Sequence, residues 1–381
     1  MDSDSDSELG AERWMVETIG MYKDLHEFDL QYPTRVTEWI GEKSVCVAGY
    51  DASKTNEIVQ LVVPQKLLVS ENQGLCAERD LKVECGGFTK QPVYSLKHVS
   101  QQVGLILTSS PGSPEVQVWQ MGAEDHGAIK PISCLQSEAN KDTWIKIAAR
   151  DTSSPQALHG SQINNVHLTE IESKKRIYTL AVESSEGVGS LSFLDVNSFL
   201  LCSLRGRLVL ADLRQPGVAS EGSLSPALPC SGHWVASARP GHEDMRASIA
   251  SLSSEGHIAV TDSRNLANPL KCAKQNFPET SKSEDFLCIC WAPKLEDCIS
   301  VSGLDGTVQI YNTQSWDQTL AEKEALFSHT GHSVMGECED GSEPRVTCHS
   351  WHPWKERTLI SAANDGSLHM WDWLDRDNQR P

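Results

Sequence analysis

The sequence predicts an all-β chain folded as a seven-bladed β-propeller, and three observations carry that expectation. Short apolar or alternating runs recur in groups of three from Thr34 onward, the period-two pattern of half-buried strands. Gly, Asn, Asp and Pro separate these runs at strand length, so each group reads as an antiparallel meander. The 381 residues suit one propeller of seven units at roughly 40–45 residues each, with inserts.

The C-terminal stretch Arg345–Trp373 is the clearest unit. Val346–Trp351 is apolar and stops at His352-Pro353, since proline brings no ladder donor. Leu359–Ala363 is a second apolar run, closed by the tight-turn sequence Asn364-Asp365-Gly366. Ser367–Trp371 then alternates polar and apolar and ends in Trp371-Asp372. The chain finishes after this third strand and leaves a sheet edge open. An N-terminal strand, Leu25–Gln31, is expected to cover that edge and close the ring.

Taken in order, residues 1–10 are acidic and expected to be disordered, and the spacing of Trp14, Thr18, Met21 and Tyr22 predicts a short helix over Ala11–Met21. Blade one is expected at Thr34–Trp39, Val45–Tyr50 and Glu57–Val62, with an irregular extension through Phe88. Blade two falls at Val93–His98, Val103–Thr108 and Glu115–Trp119. Blade three falls at Trp144–Ala148, near Ala157, at Asn165–Glu170 and at Arg176–Ala181. Blade four is Gly189–Phe193, Phe199–Ser203 and Arg207–Ala211; blade five is Trp234–Ala238, Ala247–Leu252 and His257–Thr261. Blade six is Phe286–Trp291, Cys298–Ser302 and Thr307–Tyr311. The propeller body is read as residues 34–375, after a helix and closing strand over 11–33 and before a tail over 376–381. Inserts at Ser70–Gln91, Met121–Lys141, Pro216–Gly232 and Ser333–Pro344 are the expected partner surfaces, because loops carry function on a rigid scaffold.

The Trp-Asp ending and the turn aspartate resemble the WD-repeat family. That resemblance implies a buried hydrogen-bonded chain of Asp365, Ser361, Trp371 and His332, although the segment Ser333–Pro344 intervenes between His332 and the first strand of its blade. A buried indole N–H and a carboxylate must find partners, so the four are read as fold residues rather than catalytic ones. The match decays toward the N-terminus. Tyr311-Asn312 stands for Trp-Asp in blade six, with Val301 at the serine position; Arg205 and Ala211 stand in blade four, Glu255 and Thr261 in blade five. Those blades are expected to rely on strand pairing and apolar packing.

Charge and motifs bound the function. The formal net charge is −19, which argues against unaided nucleic-acid binding and against anionic membrane surfaces. No apolar run reaches the roughly 18 residues of a membrane span, and the acidic N-terminus is the opposite of a secretory signal. The 12 cysteines are scattered without a C-x-x-C pair and are read as reduced thiols. His329, His332, Cys338, Cys348, His349 and His352 cluster near the last blade but lack paired ligand spacing, so no metal is assigned. Cys288 and Cys290 lie one strand period apart and are read as small core residues. Gly187-Val-Gly189 lacks the rest of a dinucleotide fingerprint, and no phosphate loop, nucleophile elbow or acid pair is present. No cofactor and no enzymatic activity are expected. Trp14 and Met15 are either an exposed anchor or part of a helix packed on the rim.

Over its whole length the chain resembles one group of WD-repeat proteins, in size, in its acidic Ser/Asp start and in the ending WHPWKERTLISAANDGSLHMWDW. The resemblance implies a non-enzymatic, mainly cytoplasmic, monomeric interaction protein. It also implies association with assembly of the RNA endonuclease module of the Integrator complex and with microtubule and spindle organisation. That module is a metallo-β-lactamase-type heterodimer of the endonuclease subunit and its inactive paralogue. An RNA-holding groove is expected to be basic, and an acidic scaffold is its electrostatic complement. Asp2, Asp4, Asp6, Glu337, Glu339, Asp340 and Glu343 are the candidate contacts, able to occupy such a groove and mask the active site. Two alternatives stand. Asp212-Leu-Arg214 and Asp262-Ser-Arg264 resemble part of the motif by which some WD-repeat proteins dock, as substrate receptors, on a cullin-RING ligase adaptor. The preceding Trp is replaced by Ala211 and Thr261, and a surface ion pair is the simpler reading of Arg214 and Arg264. A direct microtubule-binding scaffold is opposed by the acidic surface of tubulin.

Overall fold

A computed structural model describes residues 13–14, 16–18, 20–30, 32–51, 55–64, 80–100, 104–122, 127–138, 143–215, 217–224, 228, 231–239, 247–277, 285–335, 338 and 341–374. These residues form seven four-stranded antiparallel sheets, each a blade of a propeller. The inner strands, one per blade, are Thr34–Ile40, Ser95–Ser100, Lys146–Arg150, Val188–Phe193, Trp234–Arg239, Cys288–Trp291 and Val346–Trp351. Each continues outward through two more strands in sequence order, as in Thr358–Ala363 and Ser367–Trp373 of the last blade.

Blade seven takes its outer strand from the other end of the chain. Tyr22–Asp29 runs antiparallel to Ser367–Trp373, with Leu25 opposite Trp371 and Asp29 opposite Ser367. This strand begins three residues before the position its alternation suggests, because Tyr22 is itself buried against Phe327 and Trp371. Gln31, the other predicted end, lies outside the described residues. The described residues between 13 and 18 are helical, and Trp14 is 9% exposed, its Nε1 donating to Thr330 Oγ1 at 2.8 Å. Trp14 therefore packs on the rim; Met15 lies outside the described residues.

The other outer strands are the main feature that the hydrophobic pattern did not reveal. Lys82–Thr89, Ile129–Gln136, Ala219–Ser223, Lys271–Lys274 and Phe327–His329 complete blades one, two, four, five and six. The first three occupy much of what reads as insert. An outer strand pairs on one side only and faces solvent, so it needs little apolar alternation; Ala219–Ser223 is simply ASEGS.

The core is a set of seams rather than one centre. Seven apolar clusters each join two neighbouring blades. The closing seam sets Val45, Val47 and Leu61 of blade one against Ile360, Leu368 and Met370 of blade seven. Glycine lets backbones meet where blades converge: a Cβ on Gly189 would lie 2.1 Å from the Trp234 carbonyl oxygen. Within blade six, Gly303 has φ +94° and a Cβ there would meet the Phe286 carbonyl oxygen at 2.0 Å, so a residue without a Cβ is needed for the Phe286 backbone to lie this close.

Candidate interaction surface

In blade seven the sequence-predicted residues converge. Trp371 Nε1 donates to Ser361 Oγ at 3.2 Å, and Ser361 Oγ lies 2.9 Å from His332 Nε2. The opposite ring nitrogen, His332 Nδ1, is 2.7 Å from Ser367 Oγ, which donates to Asp365 Oδ1 at 2.7 Å. Asp365 is thus joined to His332 through Ser367, a relay that sequence reading missed. Its signal is the Asp-x-Ser spacing, since a turn carboxylate readily accepts from the residue two positions on. His332 reaches the blade because Gly331–Met335 forms one helical turn before the segment leading to Val346.

Further polar groups hold neighbouring blades in register. His349 is gripped by Ser300 Oγ and Ser302 Oγ, each at 2.7 Å, and Trp351 Nε1 donates to Ser300 Oγ at 2.7 Å. Blades four and five do not rely on strand pairing and apolar packing alone. Ser203 Oγ accepts from the Arg205 and Arg207 amides, and Ser253 Oγ from those of Glu255 and His257, the task that Asp365 performs in its turn.

Two clusters contain metal-ligating side chains. In Cys288, Cys290 and His349 both ring nitrogens are already engaged by serines. The two cysteines share a face, as their spacing implies, and are half-buried, Cys290 packed against the seam between blades six and seven, their Sγ atoms 3.8 Å apart. In His329, His332 and His369 the rings of His332 and His369 stack 3.8 Å apart at 9°, so their in-plane lone pairs run parallel instead of converging on one point. Tyr22 OH lies 2.8 Å from His329 Nδ1, and His329 Nε2 lies 3.0 Å from His369 Nδ1. This chain of contacts ties the closing strand to blades six and seven. Burial pushes all three histidines below their ordinary range.

Of the acidic candidates, Glu343 is exposed on the segment entering blade seven. Asp2, Asp4, Asp6, Glu337, Glu339 and Asp340 lie outside the described residues. Arg214 and Arg264 each turn back on their own aspartate, with Nη2 at 2.7 Å from Asp212 Oδ2 and at 2.6 Å from Asp262 Oδ2. The Arg214 guanidinium holds the Asp212 carboxyl down at about 2.

A constellation with no counterpart in the sequence reading lies where the inner strands begin. Arg35, 5% exposed, places its guanidinium 3.8 Å from the Tyr94 ring centroid, 4.8 Å from that of Phe286 and 4.9 Å from that of Trp144. Its Nη2 donates to the Asp285 carbonyl oxygen. Lys146 Nζ sits 3.4 Å from the Trp144 centroid. Tyr50 completes the aromatic wall, 5.8 Å from Phe286 and 6.3 Å from Tyr94. Four blades contribute to this one mouth of the channel. Burial lowers both cations from their ordinary values, and for Lys146 the Arg35 charge adds to the effect.

The chain is 57% identical over 361 residues to a Xenopus laevis protein named Integrator complex assembly factor WDR73, covering 95% of this chain and 98% of that protein. The chain belongs to the WDR73 family. A Mus musculus member of the same name is 42% identical over 367 residues, 96% of this chain and 98% of its own length. Against these WDR73 relatives, a Caenorhabditis elegans protein named DDB1- and CUL4-associated factor 11 homolog is 25% identical over 268 residues, 64% of this chain and 45% of that one. No family-wide sequence profile matches the chain.

Proposed function

We propose that this chain is a non-enzymatic, mainly cytoplasmic assembly factor of the Integrator complex that binds and stabilises its RNA endonuclease module. The acidic segments around Asp2, Asp4 and Asp6 and around Glu337, Glu339, Asp340 and Glu343 would occupy the basic groove that holds RNA. They would keep the active site of the endonuclease subunit masked, with the inactive paralogue held alongside. The observation that carries the reading is family membership at 40–57% identity over nearly the whole chain with proteins named as Integrator assembly factors. The net charge of −19 supports the electrostatic part. Spindle and microtubule association then follows from partner binding, since a body of this charge is repelled by tubulin.

Affinity purification from a cytosolic extract, followed by titration with the purified endonuclease heterodimer, tests this. Recovery of both subunits is expected, with affinity falling by about tenfold or more between about 50 and 300 mM salt. Deleting Asp2–Glu8, or neutralising Glu337, Glu339, Asp340 and Glu343 together, should flatten that salt dependence. Affinity that ignores both salt and segment would sink the groove-filling step.

A second reading, a cullin-RING substrate receptor, is favoured by the two Asp-x-Arg turns and by the similarity to the C. elegans factor. Arg214→Glu with Arg264→Glu should abolish recovery of the ligase adaptor if that reading holds. Under the assembly-factor reading the pair of reversals leaves endonuclease recovery unchanged.

A further inference from the structure

The mouth of the channel carries two cations in a molecule whose net charge is −19. Arg35 and Lys146 stand at the start of the inner strands of blades one and three, with Tyr94 of blade two against Arg35 and against Trp144, the ring that Lys146 covers. Among the described residues neither cation forms an ion pair. Lys97, on the inner strand of the intervening blade, does so, with Glu38 Oε2 at 2.7 Å. The Asp285 carboxylate favours both charges from beyond ion-pair distance. In a chain with 52 acidic residues against 33 basic ones, two neighbouring cations with no carboxylate at ion-pair distance among the described residues are a costly arrangement. Facing aromatic rings offset part of that cost. They cannot supply the hydrogen-bond acceptors that a guanidinium fork and an ammonium call for.

We propose that this mouth binds an acidic peptide segment of a partner protein. One Glu or Asp carboxylate bridges Lys146 and the edge of Arg35, while an adjoining apolar side chain packs on Trp144 and Tyr94. Arg35 is held in place by three rings and the Asp285 carbonyl, so its donors are oriented before the ligand arrives and little side-chain entropy remains to be lost. Lys146 and Trp144 are half-buried and so present part of their surface to an incoming segment. A single carboxylate senses the two nearby cations. A nucleic acid, with a charge on every phosphate, senses the −19 body as well and is repelled. Peptide carboxylate is therefore the anion that fits. This assignment does not depend on which partner the family assembles.

Fluorescence anisotropy with the full-length chain tests it. The probe is a labelled, end-capped peptide alternating Glu and Leu; a Gln/Leu version and a single-stranded oligouridine serve as comparisons. The Glu peptide should bind at least about tenfold more tightly than either, the effect of a charge-assisted hydrogen bond. Lys146→Met should weaken it by about tenfold, and Trp144→Leu by several-fold. Lys146→Met should also raise the melting temperature, because it removes an unpaired cation and keeps the apolar stem. A merely structural lysine would show the opposite, a lower melting temperature with unchanged binding. Equal binding of the Glu and Gln peptides, tighter binding of oligouridine, no binding of the Glu peptide, or indifference to Lys146→Met overturns the proposal.

Discussion

Trp371→Ala is expected to lower the stability of the propeller by about 3–5 kcal/mol, a melting-temperature drop of roughly 4–6 °C in a chain of this size. The indole is 0% exposed and sits where the closing strand meets the rest of the ring, opposite Leu25. It stacks on His329 at 4.7 Å and 19° and on Phe327 at 5.5 Å and 30°, and Tyr22 meets it edge-on at 6.5 Å. Truncation leaves a void bounded by three rings that are tied elsewhere and cannot collapse into it. It also takes from Ser361 the donor at 3.2 Å that completes the line through His332 and Ser367 to Asp365. Domains are typically stable by only about 5–15 kcal/mol, so the loss is a large share of the total. Trp371→Phe keeps most of the packing and loses the N–H, so about 1–2 kcal/mol is expected. Trp354→Ala, at a side chain 50% exposed, should change little. Thermal and denaturant unfolding of the three variants checks the ranking, and equal melting of Trp371→Ala and the unchanged protein would refute it.

The residues that sequence reading found and those it missed differ in how far apart their partners lie. Ser361, Asp365 and Trp371 belong to one hairpin pair, and His332 precedes the same blade, so a local motif held all four. The middle strands are buried on both faces because each is packed between neighbouring blades, as in Thr358–Ala363, buried throughout, whereas an inner strand such as Trp234–Arg239 is only partly buried and carries polar residues. The outer strands, such as Lys82–Thr89, are buried at only one residue, Cys85, and read as insert. The channel-mouth cluster had no local signature at all. Arg35 and Asp285 are 250 positions apart, and the rings come from blades one, two, three and six. The one hint in the chain is positional: Tyr94, Trp144 and Phe286 each stand one or two residues before an inner strand. Only ring closure brings those three positions to one point.

Acid should weaken the ring well before the carboxylates titrate. Burial holds His369 down at about 3, His159 at about 3 and His352 at about 4, and it pushes His329 and His332 well below their ordinary range. In the unfolded chain each would titrate near 6.5. Between those values the unfolded state binds more protons than the folded one, so stability is complete above about pH 7 and falls as pH drops through 6.5. Each of the three histidines held at about 3 to 4 contributes about 1.4 kcal/mol per pH unit, so together they remove up to about 4 kcal/mol by pH 5.5, a large share of the stability of a typical domain, and His329 and His332 act in the same direction. Burial raises the carboxyls of Glu27 and Asp372, which take up protons in the folded state and offset a small part. Denaturant unfolding at pH 7.5, 6.5 and 5.5 should show the fall, and a flat profile would exclude it. The loss should also be local at first. Three of the five lie in the contact between Tyr22 and blades six and seven, and protonating either ring of the His329–His369 pair breaks the neutral donor–acceptor match that ties them. Amides of Tyr22–Asp29 should therefore exchange with solvent ahead of those in Phe199–Ser203 once the intrinsic pH effect on exchange is removed. The ring would open at the strand that fastened it.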